Sequence, residues 1–113
     1  SGSGYTYFHL IFLVKLTKFF GFYPKGVFTE NTCHFDLQNG VFTSDKNSSL
    51  HTLDRNLSRM LAILLGADYS SSLQIQPALR RELLKSLVDY YRLHLEGFGE
   101  VRSLPVLMEL FSE

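Results

Sequence analysis

Cys33 and His34 are the first residues in this chain that could do chemistry, since a thiolate and an imidazole are both zinc ligands. A structural zinc site needs four ligands, however, and no second cysteine exists. His9, His51 and His94 lie far apart and form no ligand pair at helical spacing. As a nucleophile, Cys33 would need a base within reach. His34 is its neighbour on an expected strand, where adjacent side chains point to opposite faces. Asp36 and Asp89 are the remaining acid–base candidates, and the sequence does not set them apart from ordinary surface carboxylates. No Gly-rich phosphate loop, Ser-centred elbow or His-Glu-x-x-His motif is present. The expectation is a protein with no catalytic residues, no bound metal and no cofactor.

Charge placement is more informative. The formal net charge is zero, which argues against a free-standing protein that lives on phosphate contacts. Yet before Val27 the chain has Lys15, Lys18 and Lys25 and no acidic residue. A long expected helix carries Arg80, Arg81, Lys85 and Arg92. At helical pitch Arg81, Lys85 and Arg92 fall within about 40° of one another, a continuous stripe. Such a stripe serves phosphates or an acidic peptide, or is a solvated face balanced by Glu82 and Asp89. Beside it, Tyr91 follows Leu84, Leu87 and Val88 onto the inner face and is assigned to the core. Tyr90 is left between core packing and base stacking.

The elements that must position these groups follow from periodicity. A length of 113 residues with 45% hydrophobic and 14% aromatic content suits one packed domain and excludes disorder. Ser1-Gly2-Ser3-Gly4 has flexible-linker composition and reads as a linker or expression remnant, leaving 5–113 as the domain. Residues 5–20 are apolar on almost every side, so this helix is expected near the centre, stopped by Gly21 and Pro24. The run is too short and too interrupted by Lys15, Thr17 and Lys18 to cross a bilayer, and it lacks the features of a signal peptide. A lone cysteine places the protein in a reducing compartment, the cytoplasm.

Phe35 and Leu37, then Val41 and Thr43, alternate around Asn39-Gly40, which predicts a tight hairpin with left-handed turn residues. From about Leu53 the helical period returns through Leu57, Met60, Leu61 and Leu64 and ends at Gly66. Pro77 opens a helix running to about Leu95, whose inner face is Leu79, Leu83, Leu84, Leu87, Val88, Tyr91 and Leu95. Ser103 is a plausible N-cap for a last helix bearing Val106, Leu107, Leu110 and Phe111. The fold class is mainly α: a small helical domain of about four main helices with a short β-hairpin insertion.

Four pieces of wording carry a resemblance: Tyr7-Phe-His-Leu-Ile-Phe-Leu-Val-Lys-Leu-Thr-Lys-Phe-Phe-Gly-Phe-Tyr-Pro24, Phe35-Asp-Leu-Gln-Asn-Gly-Val-Phe42, Asp89-Tyr-Tyr-Arg-Leu-His-Leu95 and Ser103-Leu-Pro-Val-Leu-Met-Glu-Leu-Phe111. In order and spacing they resemble the carboxyl-terminal helical domain of the RecO family of DNA-repair and recombination mediators, in its Bacteroidetes style. The resemblance implies a non-enzymatic role in annealing single strands and loading RecA, with RecR as a partner. It implies that the helical domain receives the acidic, Phe-ended tail of single-stranded DNA-binding protein. The family's amino-terminal OB-fold is not among these residues, so weak, salt-sensitive binding of single- and double-stranded DNA is expected from this part alone. Many relatives carry a four-cysteine zinc knuckle where this chain has only Cys33. Lys15, Lys18, Arg80, Arg81, Lys85 and Arg92 are the residues expected to meet DNA or the acidic tail. The rival reading is a helical protein-interaction module unrelated to DNA.

Overall fold

The structure, a computed structural model, describes residues 3–68, 70 and 73–95, with side chains from Phe8 onward. The elements are α1 (Ser3–Phe20), β1 (His34–Asp36), β2 (Val41–Thr43), α2 (Arg55–Leu65) and α3 (Pro77–His94). Three helices and one antiparallel hairpin are therefore on view. The fourth helix expected around residues 103–111 lies outside the described residues.

Helix α1 begins at Ser3, two residues before the expected start, and ends where glycine permits it. Gly21 takes φ +92°, and the Thr17 carbonyl accepts from both the Gly21 and Phe22 amides. Its inner face buries Leu10, Ile11, Leu13, Val14 and Thr17, the Thr17 hydroxyl donating to the Val14 carbonyl at 2.6 Å. The helix is not central as expected: Phe8, Phe12, Phe19 and Phe20 are exposed. Apolar residues on all sides do not force burial on all sides in a domain this small, because much of any folded surface is apolar.

The hairpin pairs His34 with Thr43, Phe35 with Phe42 and Asp36 with Val41. Its turn differs from the expected two-residue form. Residues 37–40 make a four-residue loop closed by the Gly40 amide on the Asp36 carbonyl, at 2.7 Å. Only Gly40 is left-handed, at φ +67°, and Asn39 is not. Asn39 instead donates from both its backbone and its side chain to Asp36. Two three-residue strands are marginal alone, and here both edges are occupied. On one edge the Leu37 amide donates to the His51 carbonyl and the Leu53 amide to the Phe35 carbonyl, while on the other the Lys25 amide donates to the Gly40 carbonyl and the Phe42 amide to the Lys25 carbonyl.

Helix α2 starts behind Asp54, whose side chain accepts from the Leu57 amide at 2.9 Å, an N-cap. It turns Leu57, Leu61 and Leu64 inward and stops before Gly66. Helix α3 has Pro77 in its first turn, as expected, and buries Leu83, Leu84, Leu87, Val88 and Tyr91. Tyr90 joins them, with 1% of its surface exposed, which settles it as core. Phe35 packs edge-on against both Phe42 and Tyr90, locking the hairpin to α3.

Gly40 and Gly21 separate conformational strain from crowding. Both have positive φ, but a Cβ on Gly21 meets nothing within 4 Å, whereas one on Gly40 would lie 3.0 Å from the Tyr90 hydroxyl. Gly21→Ala is expected to cost about 1 kcal/mol and Gly40→Ala about 2 kcal/mol or more. Chemical denaturation measures both, and equal losses would show that Tyr90 yields freely.

Candidate functional site

Among the described residues the densest polar cluster surrounds Asp36. Its side chain is fully buried. Oδ1 accepts from the Gln38 amide at 2.9 Å, the Asn39 amide at 3.2 Å and the Ser49 hydroxyl at 2.7 Å. Oδ2 accepts from Asn39 Nδ2 at 2.6 Å and the Ser48 hydroxyl at 2.5 Å. Burial alone would drive this carboxyl upward, but the bonds from Ser48, Ser49 and Asn39 outweigh it and hold it at about 2. Asp36 is thus not an ordinary surface carboxylate. It is a poor general base as well, because it is a weak one and its oxygens are already occupied. What it does is join the hairpin turn to the loop that carries Ser48 and Ser49. Sequence reasoning missed it; an Asp three residues before Asn-Gly, with a Ser pair downstream, was the available signal.

The other chemical candidates are also held structurally. Cys33 is half-buried. The His34 Nδ1–H donates to the Leu53 carbonyl at 2.9 Å. Among the described residues no three His, Cys, Asp or Glu side chains converge as a metal site. His94 donates from Nε2 to the Leu37 carbonyl at 2.6 Å, and Tyr91 donates to the Leu13 carbonyl at 2.6 Å. Tyr90 donates to the Phe22 carbonyl. Burial raises both tyrosines far above the ordinary phenol range, so they remain protonated donors. These three bonds tie α3 to α1, to the 22–24 segment and to the hairpin turn. Neither tyrosine is available to stack on a base.

The expected cations divide into two groups. Arg81, Lys85 and Arg92 do share the solvent face of α3. Arg92 is engaged, its Nη1 lying 3.1 Å from Asp89 in an exposed i,i+3 pair. Such a pair is worth little in water. Arg81 and Lys85 make no ion pair among the described residues. Arg80 is half-buried at the edge of this face. Lys15 and Lys18 belong to α1 instead, and the Lys18 ammonium sits 4.9 Å over the ring of Tyr23.

That tyrosine is one wall of a groove of about 640 Å³ between the 23–28 segment and α2. Tyr23, Pro24, Val27, Phe28 and Ile63 line it, and Arg59 stands beside them. Gly26, at φ +79°, lets the 23–28 segment turn there. Phe28 packs edge-on against Phe42, so the groove floor is continuous with the hairpin. Val27 and Ile63 remain exposed, and Arg59 forms no ion pair among the described residues. An apolar trough flanked by Arg59 and Lys18 suits an apolar or aromatic group attached to a carboxylate. Of these two cations only Lys18 was expected from the sequence. Arg59 sits within the apolar period of α2 and carries no stripe to mark it.

Comparison with known proteins fits this geometry into a family. The family model described as "Recombination protein O C terminal" matches residues 2–105. The chain is 42% identical over 108 residues to a DNA repair protein RecO of Flavobacterium psychrophilum, covering 93% of the chain and 44% of that protein. It is 33% identical over 111 residues to one from Azobacteroides pseudotrichonymphae, covering 96% of the chain and 46% of that protein. A third, from Flavobacterium johnsoniae, is 36% identical over 106 residues, covering 93% and 44%. The chain therefore spans somewhat less than half the length of these relatives. No solved structure matches.

The Asp36 cluster carries a pH prediction. Its carboxyl lies at about 2 in the folded chain against 3.8 ordinarily, so its stabilisation is complete above about pH 4. That stabilisation should drain away as pH falls from about 4 to about 2. Asp36→Asn should lower stability at neutral pH by about 2 kcal/mol or more and flatten the acid limb. Denaturation midpoints measured from pH 7 to 2 check this; parallel acid limbs in the two proteins would refute it.

Proposed function

Because the chain belongs to the recombination protein O family, we propose that it serves DNA repair as a docking domain with two separate surfaces and no bond-making chemistry of its own. The groove beside Arg59 and Lys18 receives the acidic, Phe-ended tail of single-stranded DNA-binding protein. The α3 face bearing Arg81 and Lys85 contributes phosphate contacts to single- and double-stranded DNA. Contact with RecR, strand annealing and RecA loading belong to the whole protein on this reading. The observation that carries it is the groove: an exposed apolar trough with a guanidinium at its side that forms no ion pair among the described residues.

Physical chemistry separates the two surfaces. A Phe-ended acidic peptide gains from burying its ring and from a charge-assisted bond to its carboxylate, and the groove supplies both kinds of partner. DNA gains from diffuse cations in a row, which release counterions, and α3 supplies those. With a formal net charge of zero, the chain's DNA affinity is expected to be weak and to fall steeply with salt. Arg92, already shared with Asp89, contributes less than Arg81 and Lys85.

Fluorescence anisotropy at low salt tests both halves. Arg59→Glu and Ile63→Asp are each expected to weaken a labelled acidic peptide ending in Phe by about tenfold or more, with DNA affinity little changed. Arg81→Glu combined with Lys85→Glu should do the reverse, and should make the salt dependence of DNA binding shallower by about two phosphate contacts. Unchanged affinities in all six measurements would reduce both surfaces to solvated exterior.

A further inference from the structure

Asn39-Gly40 is the one Asn-Gly pair in the chain, and it carries a chemical liability that neither docking surface touches. An asparagine amide is open to attack by the backbone nitrogen that follows it, and a following glycine leaves that approach unobstructed. The Gly40 nitrogen would give its proton to a solvent base and bond to Asn39 Cγ. The Cγ–Nδ2 bond then breaks, Nδ2 leaves as ammonia with a proton from solvent, and a cyclic imide remains. Water opens the imide to aspartate or isoaspartate, so the sum is an amide plus water giving a carboxylic acid plus ammonia. Asn39 is exposed, so access of water and base does not limit the reaction. The turn geometry does. The Gly40 amide donates to the Asp36 carbonyl at 2.7 Å, and the Gly40 carbonyl accepts from the Lys25 amide at 2.9 Å. Asn39 Nδ2 donates to Asp36 Oδ2 at 2.6 Å, which draws the side chain back toward residue 36. The Tyr90 hydroxyl would lie 3.0 Å from a Cβ at Gly40, so the turn is crowded on that side as well.

We propose that Asn39 is a site of spontaneous deamidation held closed by Asp36, and that its conversion unfastens the hairpin turn from the loop carrying Ser48 and Ser49. Two physical effects keep it closed. Attack requires removal of the Gly40 amide proton, which is committed to the Asp36 carbonyl. Attack also develops negative charge at the Asn39 amide, beside a carboxylate that opposes it. The product acts on the same contact. A carboxyl at position 39 would replace the donor at Asp36 Oδ2 by an acceptor and set two carboxylates against each other. Ser48 and Ser49 are held by that same Asp36 side chain, so repulsion there loosens the loop as well as the turn. Loss of ammonia makes the change one-way, and each conversion removes the contact that had prevented it. The site stands independently of the docking function, since it uses neither Arg59 nor the α3 cations.

Peptide mapping by mass spectrometry, on the 113-residue chain incubated at mildly alkaline pH, tests the site. In the folded wild type, conversion at Asn39 is expected to run about tenfold or more slowly than in the same chain held in denaturant. Asp36→Asn, which removes the charge, should bring the folded rate up by about fivefold or more toward the denatured one. Should that variant fail to fold, Ser48→Ala combined with Ser49→Ala gives the reading: two donors fewer hold the carboxylate, and the rate should rise by a smaller factor. Denaturation midpoints test the consequence. Asn39→Asp, the mimic of the product, should be less stable at neutral pH than Asn39→Ala, which loses the bond without adding a charge. That gap should close as the pH falls through the carboxylate range and the repulsion is neutralised. Three results would overturn the proposal: equal rates in the folded and denatured wild type, a rate unchanged in the folded Asp36 or paired serine variant, or an Asn39→Asp chain as stable as Asn39→Ala at neutral pH.

Discussion

A buried carboxylate that accepts five hydrogen bonds is the constraint on which the non-helical half of this domain depends. Asp36 closes its own turn through Gln38 and Asn39 and pins the following loop through Ser48 and Ser49. With that loop fixed, residues 51–53 can lie along β1 and bond it, and the hairpin gains the neighbour that two short strands need. Phe35 and Phe42 then face the helices as one aromatic pair, meeting Tyr90 on one side and Phe28 on the other. The groove wall therefore inherits its position from a charge buried on the far side of the hairpin. Hydrogen bonds to an ion are stronger than neutral ones, which is why five of them can hold a three-residue ribbon in register.

Function on this account is a property of surfaces set on a rigid frame. Tyr90, Tyr91 and His94 spend their polar atoms on carbonyls of Phe22, Leu13 and Leu37, so α3 has its inner face committed to α1 and the hairpin. Its outer face is left free to carry Arg81 and Lys85. The groove lies elsewhere, between α2 and the 23–28 segment; Arg59 lines it, and Lys18 sits over the ring of Tyr23, one of its walls. Separate surfaces permit DNA and an acidic peptide to be held at once, without competing for one set of charges.

The sequence makes the helices legible and the site less so. The three- and four-residue spacing of Leu57, Leu61 and Leu64 and the Pro77 start of α3 each have a local cause, and each appears where periodicity places it. The stripe on α3 is likewise a local pattern. The Asp36 cluster joins residues 12 and 13 positions apart through side chains, and no periodicity encodes that. Asn39 misleads for a related reason: its side chain bonds Asp36 in place of adopting the left-handed turn expected of Asn-Gly. The groove needs Tyr23 and Phe28, Phe42 and Ile63 brought together from three segments, so only the folded chain reveals Arg59 as its cation. The aromatic surplus of α1 reads as a buried centre in sequence, yet Phe12 and Phe19 reach solvent.

An amide chemical-shift titration with an acidic peptide ending in Phe tests the docking surface most directly. If the groove is the receptor, perturbations will gather and saturate at Tyr23, Gly26, Val27, Phe28, Arg59 and Ile63 while α3 stays silent. Perturbations confined to Arg81, Lys85 and Arg92, or scattered without saturation, would contradict it.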